Sequence, residues 1–498
     1  MKAGLKIILL GLIAGLCLGF KSEETPLEKL LRQLAKITAG YPKEKVHLHL
    51  DKPYYALGED IWLKAYVVTA EKNEPSPLSA VLYVELVDQQ NEIKKKEKLE
   101  IVNGTANGHV NLVDSLKSGS YRIRAYTNYM RNFGDSFFFQ KIITIGNVAE
   151  KQVVSKTKEE KFNLDVQFFP EGGNMLVGVR NKIGVKAVVN DGLGANLSGH
   201  ILNSSKEKVA IFSTEHAGMG AFALTPLKNE KYTAVVIMPN GQEKSFRFPQ
   251  STESGFTIAL NKSDENLNVR VLATPDKIGA KNMFVIAQTN GIPCASFTIP
   301  TIQQANSVTI PLKELPTGII HFTLFNPESI ALAQRLAFIN HNDQLKMELS
   351  QKSPAVTKQN MELSLAVSDL NENAVDGTFS VAVTDMAQVP TDEDEEITIL
   401  SNLLLSSDLK GYIEKPNYYF HGINEGKEKQ LDHLLLTQGW RRFVWEEIRS
   451  EKIINLDYRI EKTIEVSGKI ANEFGKPKAD ARISLFAITK GKILKLDT

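Results

Sequence analysis

Residues Lys45–Val68 read KVHLHLDKPYYALGEDIWLKAYVV, two strand-like runs around one turn. Val46, Leu48 and Leu50 alternate with His47 and His49, the period of a half-buried strand. Pro53, Gly58 and the acidic pair Glu59-Asp60 interrupt the run before Ile61–Val68 resumes it. Pro53 has no N–H to give to a ladder, so it belongs at a strand end or edge. Gly58 can turn the chain at positive φ, and Tyr54, Tyr55 and Trp62 offer large surfaces for a sheet-on-sheet core. The stretch predicts the opening of a β-sandwich, with His47 and His49 on its outward face.

The same residues carry a resemblance. DKPYYALGEDIWLKAYVV is similar to the opening of the second macroglobulin-like domain of the alpha-2-macroglobulin family, where a D-K-P-x-Y…G-x-x-[VI] segment recurs. With YPKEKVHLHL before it and IWLKAY inside it, the form is nearer to large exported proteins of Bacteroidetes-type bacteria. The resemblance implies a mainly β chain of tandem macroglobulin-like sandwiches, immunoglobulin- or fibronectin-like in build.

Length and charge bound the rest. A chain of 498 residues exceeds a single core and predicts about three or four domains. Lys+Arg 59 against Asp+Glu 58 leaves a formal charge of +1, which gives no global field for nucleic acid or an anionic membrane. Lys2 and Lys6 precede the apolar run Ile7–Phe20, and a polar stretch follows, the pattern of a signal peptide over residues 1–20. Cleavage near Gly19 suits the small residues at alternate positions. Cys17 raises a lipid anchor, although Leu16 before it fits a lipobox poorly. Cys294 is the one other cysteine, so no disulfide forms once the leader is removed, and apolar cores must hold the domains.

Along the chain, residues 21–43 hold an amphipathic helix with Leu27, Leu30, Leu31, Leu34 and Ile37 at helical spacing, expected to pack on the first domain. A macroglobulin-like sandwich is expected over 44–148, a charged linker after it, a second sandwich over 162–250 and a third over 254–341. A sandwich portion over 345–390 follows, then a helical segment over 391–450. FFPEGG, residues 168–173, makes a sharp corner, and TEHAGMGAF, residues 214–222, a glycine hairpin; the pair resembles the next macroglobulin-like domain of the same bacterial proteins. Leu431–Ile448 is expected to be one helix buried on more than one side, and its LLLTQGWRRFVW resembles the helical stretch that follows these domains in the bacterial family. Residues 463–498 resemble the first half of a carboxypeptidase-regulatory-like β domain, a module that in the family sometimes precedes a TonB-dependent-receptor plug. A half-built sandwich would leave edges unpaired, which suggests an incomplete chain.

No constellation carries chemistry, and no residue is assigned as catalytic, cofactor-binding or metal-binding. The family's thioester needs C-x-E-Q; Cys294 has Ser296 and Phe297 in the acid and amide positions and reads as inert core. His47 and His49 lack a third ligand at a convincing spacing, and His421 and His433 are less specific still. Glu215 and His216 belong to a turn. The run Asp392–Glu396 lacks the glycine and spacing of a calcium loop and reads as an exposed lead-in to a helix. Arg441 and Arg442 are expected to pair with Glu446 and Glu447.

The sequence therefore predicts a non-enzymatic protein of the bacterial cell envelope, in the periplasm, the outer membrane or at the cell surface. Its role would be binding or scaffolding at the outer membrane beside TonB-dependent transport, with protein partners such as an outer-membrane transporter or a protease, and no nucleic acid. The alternative is an endopeptidase inhibitor of alpha-2-macroglobulin type without a thioester. A hydrolase site built on Asp432, His433 or Arg441 has the least support.

Overall fold

The computed structural model describes residues 24–113, 115–146, 164–238, 241–352, 360–385, 389, 392–439, 444–463, 469–479, 481–489 and 492–497. The leader expected over residues 1–20, Cys17, the charged linker expected over 148–161 and Arg441-Arg442 lie outside them.

The chain is mainly β, with sandwiches in tandem and a helical segment towards its C-terminal end. The first unit contains β1 (Glu44–Leu50), β2 (Tyr54–Tyr55), β3 (Asp60–Thr69), β4 (Val81–Val87), β5 (Ile93–Glu100), β6 (Thr105–Asn111), β7 (Gly119–Thr127) and β8 (Phe139–Ile145). They form the sheets β1-β3-β6 and β2-β8-β7-β4-β5. Alternation puts Val46, Leu48 and Leu50 of β1 and Ile61, Leu63, Ala65 and Val67 of β3 into the core between them. The turn between β1 and β3 locks itself. The Asp51 carboxylate accepts from Tyr55 Oη at 2.7 Å and Trp62 N at 3.1 Å, while Glu59 accepts from Lys52 Nζ and Ala56 N, both at 2.7 Å. Gly58 takes φ of 82°, as a left-handed turn position requires.

Of the three aromatic residues expected in this core, Tyr55 is buried, Tyr54 is half-buried and Trp62 is 55% exposed. The reason is strand parity. Trp62 shares the outward set of β3 with Lys64 and Tyr66, and its ring lies against His109 at 5.0 Å.

The second unit is built from β9 (Asp165–Pro170), β10 (Asn181–Val188), β11 (Ser198–Leu202), β12 (Lys208–Ser213), β13 (Met219–Leu224), β14 (Thr233–Ile237) and β15 (Glu243–Arg247), in sheets β13-β10-β9 and β12-β11-β14-β15. Phe168 is its aromatic centre, edge-on to Phe212 at 5.4 Å and to Phe248 at 5.0 Å. The third comprises β16 (Phe256–Lys262), β17 (Asn266–Ala273), β18 (Met283–Thr289), β19 (Ile292–Ile299), β20 (Ala305–Pro311), β21 (Gly318–Phe325) and β22 (Ala331–Ile339), in sheets β16-β17-β20 and β19-β18-β21-β22. Every residue of β21 is buried, so this sheet is covered on both faces.

One cover is the N-terminal helix α1 (Pro26–Gly40). Thr25 caps it, accepting from Glu28 N at 3.2 Å while Glu28 takes the Thr25 N–H at 2.8 Å, and Pro26 occupies its first turn. The apolar stripe does not meet the first unit, the partner expected for it from the sequence. Leu30 and Leu34 pack instead on Phe284, Ile286 and Phe325 of the third unit, with Trp445 and Ile448. A helical stripe specifies an apolar partner without specifying which one, and the flat outer face of β18 and β21 supplies it.

A sandwich portion was expected over residues 345–390. Among the described residues they form a two-stranded hairpin, β23 (Lys346–Gln351) with β24 (Leu363–Ser368), and an extended stretch beyond it. The helical segment then runs through α2 (Ile399–Ser401), continued by a π-helical turn over Asn402–Ser406, to α3 (Glu425–Thr437) and α4 (Trp445–Arg449). The single helix expected over Leu431–Ile448 is thus two, because α3 stops at the extended Gln438 ahead of Gly439. A last hairpin pairs β25 (Ser484–Thr489) with β26 (Lys492–Asp497). No helix among the described residues is long and apolar enough to cross a membrane, which says nothing of a β-barrel.

Candidate functional site

Four buried charged residues gather where the helical segment meets the three sandwiches. Its apolar side comes first. Leu405, Leu409, Ile413, Leu431, Leu434 and Leu435 share one core with Met219 of the second unit and Ile319, Leu336 and Phe338 of the third. α3 presses close to β10 because Gly184 has no side chain: a Cβ there would meet Leu436 Cβ at 3.1 Å and Thr437 Cγ2 at 3.2 Å.

Two charged junctions lie around this core. The first starts at FFPEGG, the corner read from the sequence. Gly172 turns at φ of 76°, and a Cβ on it would lie 2.2 Å from Thr257 Oγ1 and 2.8 Å from Ile258 O. The corner therefore brings Glu171 against the third unit, where its buried carboxylate accepts from Arg335 Nε at 2.9 Å and Leu260 N at 3.3 Å. Arg335 stands on β22 at the parity of Ala333 and Ala337, which face the third unit's core. Its remaining donors go to Leu336 O at 2.7 Å and to the Asp432 carboxylate on α3. Lys182 of β10 also pairs with Asp432. Burial alone would lower the Arg335 pKa, but the carboxylates of Asp432 and Glu171 outweigh it and raise it above its ordinary value. Burial likewise pushes the Asp432 carboxyl up, and Arg335 and Lys182 more than reverse this, holding it below the usual range. One guanidinium thus joins the second unit, the third unit and α3.

Gly172→Ala tests the corner. Left-handed strain and a clash with backbone are expected to destabilise the chain by about 2–5 kcal/mol in denaturant unfolding, against about 1 kcal/mol, from the strain alone, for an alanine at the open Gly178, whose φ is 71°. Equal effects at Gly172 and Gly178 would show that packing against Thr257 contributes nothing.

The second junction starts at Lys45, the first residue of the diagnostic stretch. Lys45 Nζ is buried and donates to Asp408 Oδ2 at 2.9 Å and Leu403 O at 2.8 Å, and Asn290 of the third unit also donates to Asp408, at 3.4 Å. His47 lies beside it on the outer face of β1, and that face is buried here: its Nδ1 is 3.3 Å from Asn402 Oδ1, and its ring stands edge-on to Phe139 at 5.6 Å. His49 is half-buried, its Nδ1 2.7 Å from Ser380 Oγ. The alternation of β1 is as read, but residues more than 300 positions later cover its second face.

Burial, with smaller contributions from the nearby His49 and Lys141 charges, pulls the His47 pKa down to about 3, against the Asn402 contact, which raises it. In the unfolded chain an imidazole titrates near 6.5. The unfolded state thus takes up a proton first as pH falls, so the contribution of neutral His47 is complete above about pH 6.5 and is lost progressively towards pH 3. Unfolding free energy measured between pH 7 and 4 should fall with a slope approaching about 1.4 kcal/mol per pH unit from this group, and His47→Gln should flatten it. An unchanged slope in the variant would contradict the assignment.

The other sequence candidates have structural partners. Asp392 pairs with Lys415 at 2.8 Å, Asp394 with His421 at 2.6 Å, and Glu396 with Lys141 of the first unit, so the acidic run ties segments together and is more than an exposed lead-in. His216 stacks on Tyr418 with ring centroids 3.9 Å apart, and Glu215 lies 3.9 Å from Lys429. His433 is buried on α3. Glu446 pairs with Arg449 and Glu447 with Lys452, both at 2.8 Å. Cys294 is half-buried on β19, and burial pushes its thiol up to about 11, far from a thiolate at neutral pH. Among the described residues, no three His, Cys, Asp or Glu side chains are grouped to hold a metal ion.

Sequence reasoning passed over Lys45, Asp408, Glu171 and Arg335 as charged groups. A signal existed for one of them: Arg335 interrupts the apolar run ALAQRLAFI, and a buried guanidinium demands carboxylates.

No protein-family model matches the chain, and no curated protein matches it. Among solved structures it is similar to Escherichia coli alpha-2-macroglobulin activated by porcine elastase, with 12% identity over 66% of this chain and 34% of that one, at a TM-score of 0.24. Salmonella alpha-2-macroglobulin reacted with methylamine matches at 12% identity over 65% of this chain and 25% of that one, with a TM-score of 0.18. A tetra-tandem repeat from the extending region of a large adhesion protein matches at 12% identity over 68% of this chain and 88% of that one, with a TM-score of 0.19. The chain spans about a third or less of the length of these macroglobulins. Identities this low and superpositions this loose carry nothing about activity.

Proposed function

We propose that the chain is a non-enzymatic, exported scaffold of the bacterial cell envelope, built of macroglobulin-like sandwiches that a helical segment joins. It acts by holding protein-binding faces in a fixed arrangement at the outer membrane, beside a TonB-dependent transport system, and its partners are envelope proteins such as a transporter or a protease. The observation that carries this reading is the use of four buried charges, apart from Glu44 and Glu85, which bond within the first unit. Lys45, Asp408, Glu171 and Arg335 all join one sandwich to another or to the helical segment, as a rigid scaffold requires and a catalytic pocket does not. The leader-like Ile7–Phe20 supports export, and the resemblance in Asp51–Val68 supports the macroglobulin-like build.

Fractionation tests it. Expressed with its own N-terminus in a Gram-negative host, the protein should appear in the periplasmic or outer-membrane fraction, and recovery of the mature chain from the cytosol would contradict the reading. Incubation with several proteases separates scaffold from inhibitor. A scaffold is cut at linkers while the protease keeps its activity on large protein substrates; one preferred cut with loss of that activity would establish trapping instead.

A further inference from the structure

Arg335 holds two carboxylates, and beside Glu171 two other guanidiniums have none. A cleft of about 370 Å³ opens there between the second and third units. Arg180 of the second unit and Arg270 of the third both line it. Among the described residues neither side chain makes a hydrogen bond or an ion pair.

The strand pattern explains why Arg270 stands there. On β17, Leu267, Val269 and Val271 face the third unit's core, so Arg270 belongs to the outward set. Its cross-strand neighbours are Ala259 of β16 and Ser307 of β20, neither of them a counter-charge. The outward positions of these three strands hold no acidic residue at all.

Arg180 is delivered by a fixed turn. The Asn181 side chain ties that turn together, accepting from Leu176 N at 2.9 Å and donating to Leu176 O at 2.9 Å and Val179 O at 2.7 Å. Gln304 Nε2 of the third unit donates to Gly178 O at 3.0 Å, which holds the turn against that unit. Leu176 and Val179 share a small apolar cluster with Ala259, Leu272 and Ala305. Val179, Ala259 and Leu272 line the cleft and are buried, whereas Arg180 is exposed and Arg270 half-buried, so the floor is apolar and the charge lies at the rim.

That charge is uncompensated. Glu171 is the one carboxylate in the lining, and it already accepts from Arg335; Lys182, the third cation there, pairs with Asp432. These four groups balance one another and leave Arg180 and Arg270 as two positive charges on one partly desolvated space. A guanidinium presents its donors in a planar fork that matches two oxygens of a carboxylate or phosphate. Small-molecule sites combine an apolar lining with a few fixed polar groups, favour domain junctions and begin at roughly 300 Å³.

We propose that this cleft binds a small anionic ligand, an organic carboxylate or phosphate whose charged head lies between Arg180 and Arg270 and whose apolar part rests on Val179, Ala259 and Leu272. The site needs neither export nor a protein partner. Since both units contribute to it, ligand binds their docked arrangement and stabilises it by mass action.

A ligand-observed NMR titration of the full chain tests this with three probes that share one ring: phenyl phosphate, benzoate and the uncharged benzamide. At low ionic strength at least one of the two anions should saturate with a dissociation constant near about 1 mM, the order expected of a fragment with roughly ten heavy atoms. The tighter anion identifies the head group, and benzamide should bind at least about tenfold more weakly. Arg180→Gln and Arg270→Gln should each weaken that anion about fivefold or more. Arg247→Gln removes an exposed guanidinium of the second unit outside the cleft and should change binding by less than about twofold. None of these three side chains makes a hydrogen bond in the fold, so circular dichroism of the variants should match the wild type. No saturation by either anion below about 10 mM, benzamide binding as tightly as the anions, or an equal loss in Arg247→Gln would each overturn the proposal.

Discussion

Arg335→Met is expected to destabilise the protein by about 3–5 kcal/mol, the usual penalty for removing one partner of a buried ion pair. The magnitude follows from what remains. Glu171 is 7% exposed, and Leu260 N–H becomes its one remaining side-chain hydrogen bond among those described here. Asp432 keeps Lys182 and sits nearer to solvent, so most of the loss belongs to Glu171. Neutralising that carboxylate should return much of the stability. In denaturant unfolding, Arg335→Met with Glu171→Gln is therefore expected to be more stable than Arg335→Met alone. Strict additivity of the two substitutions would mean that the pair is not coupled.

Lys45→Met should have a similar cost, about 3–5 kcal/mol, but a different footprint. It takes from Asp408, 5% exposed at its side chain, the ammonium 2.9 Å away and leaves Leu403 O without this donor. Asn290 at 3.4 Å keeps its weak bond to the same carboxylate. Replacing both partners, Lys45→Met with Asp408→Leu, should recover most of the loss, since a well-packed apolar pair avoids the desolvation penalty altogether. Amide hydrogen exchange locates the effect. Protection should fall in β1 and over Ile399–Ser406 while the second unit's sheets, which do not touch Lys45, keep theirs. A uniform loss of protection would contradict a local junction.

What the sequence disclosed depended on the range of the interaction. The alternation of β1 and β3, the Gly58 turn, the FFPEGG corner and the apolar stripe of α1 are local, and each was legible from periodicity and backbone rules. Trp62 was legible too, since parity alone places it with Lys64 and Tyr66 opposite Ile61 and Leu63, and its bulk was the misleading cue. His47 was not. Its outward position on the strand is correct, but burial comes from Asn402, and no local pattern announces a cover that distant. The same holds for α1, whose stripe announces an apolar partner but cannot choose between the first unit and the third. The charged junctions were hidden for a related reason: Lys45, Asp408, Glu171 and Arg335 look like ordinary surface residues until the fold brings each beside its counter-charge.

The central claim is that buried charges and the helical core fuse the three sandwiches into one cooperative body. Scanning calorimetry of the full chain measures that directly. The sandwiches are expected to melt in one transition whose calorimetric and van't Hoff enthalpies agree, and Arg335→Met and Lys45→Met should each split it. Three separable transitions in the wild-type protein, at positions that neither substitution moves, would contradict the account.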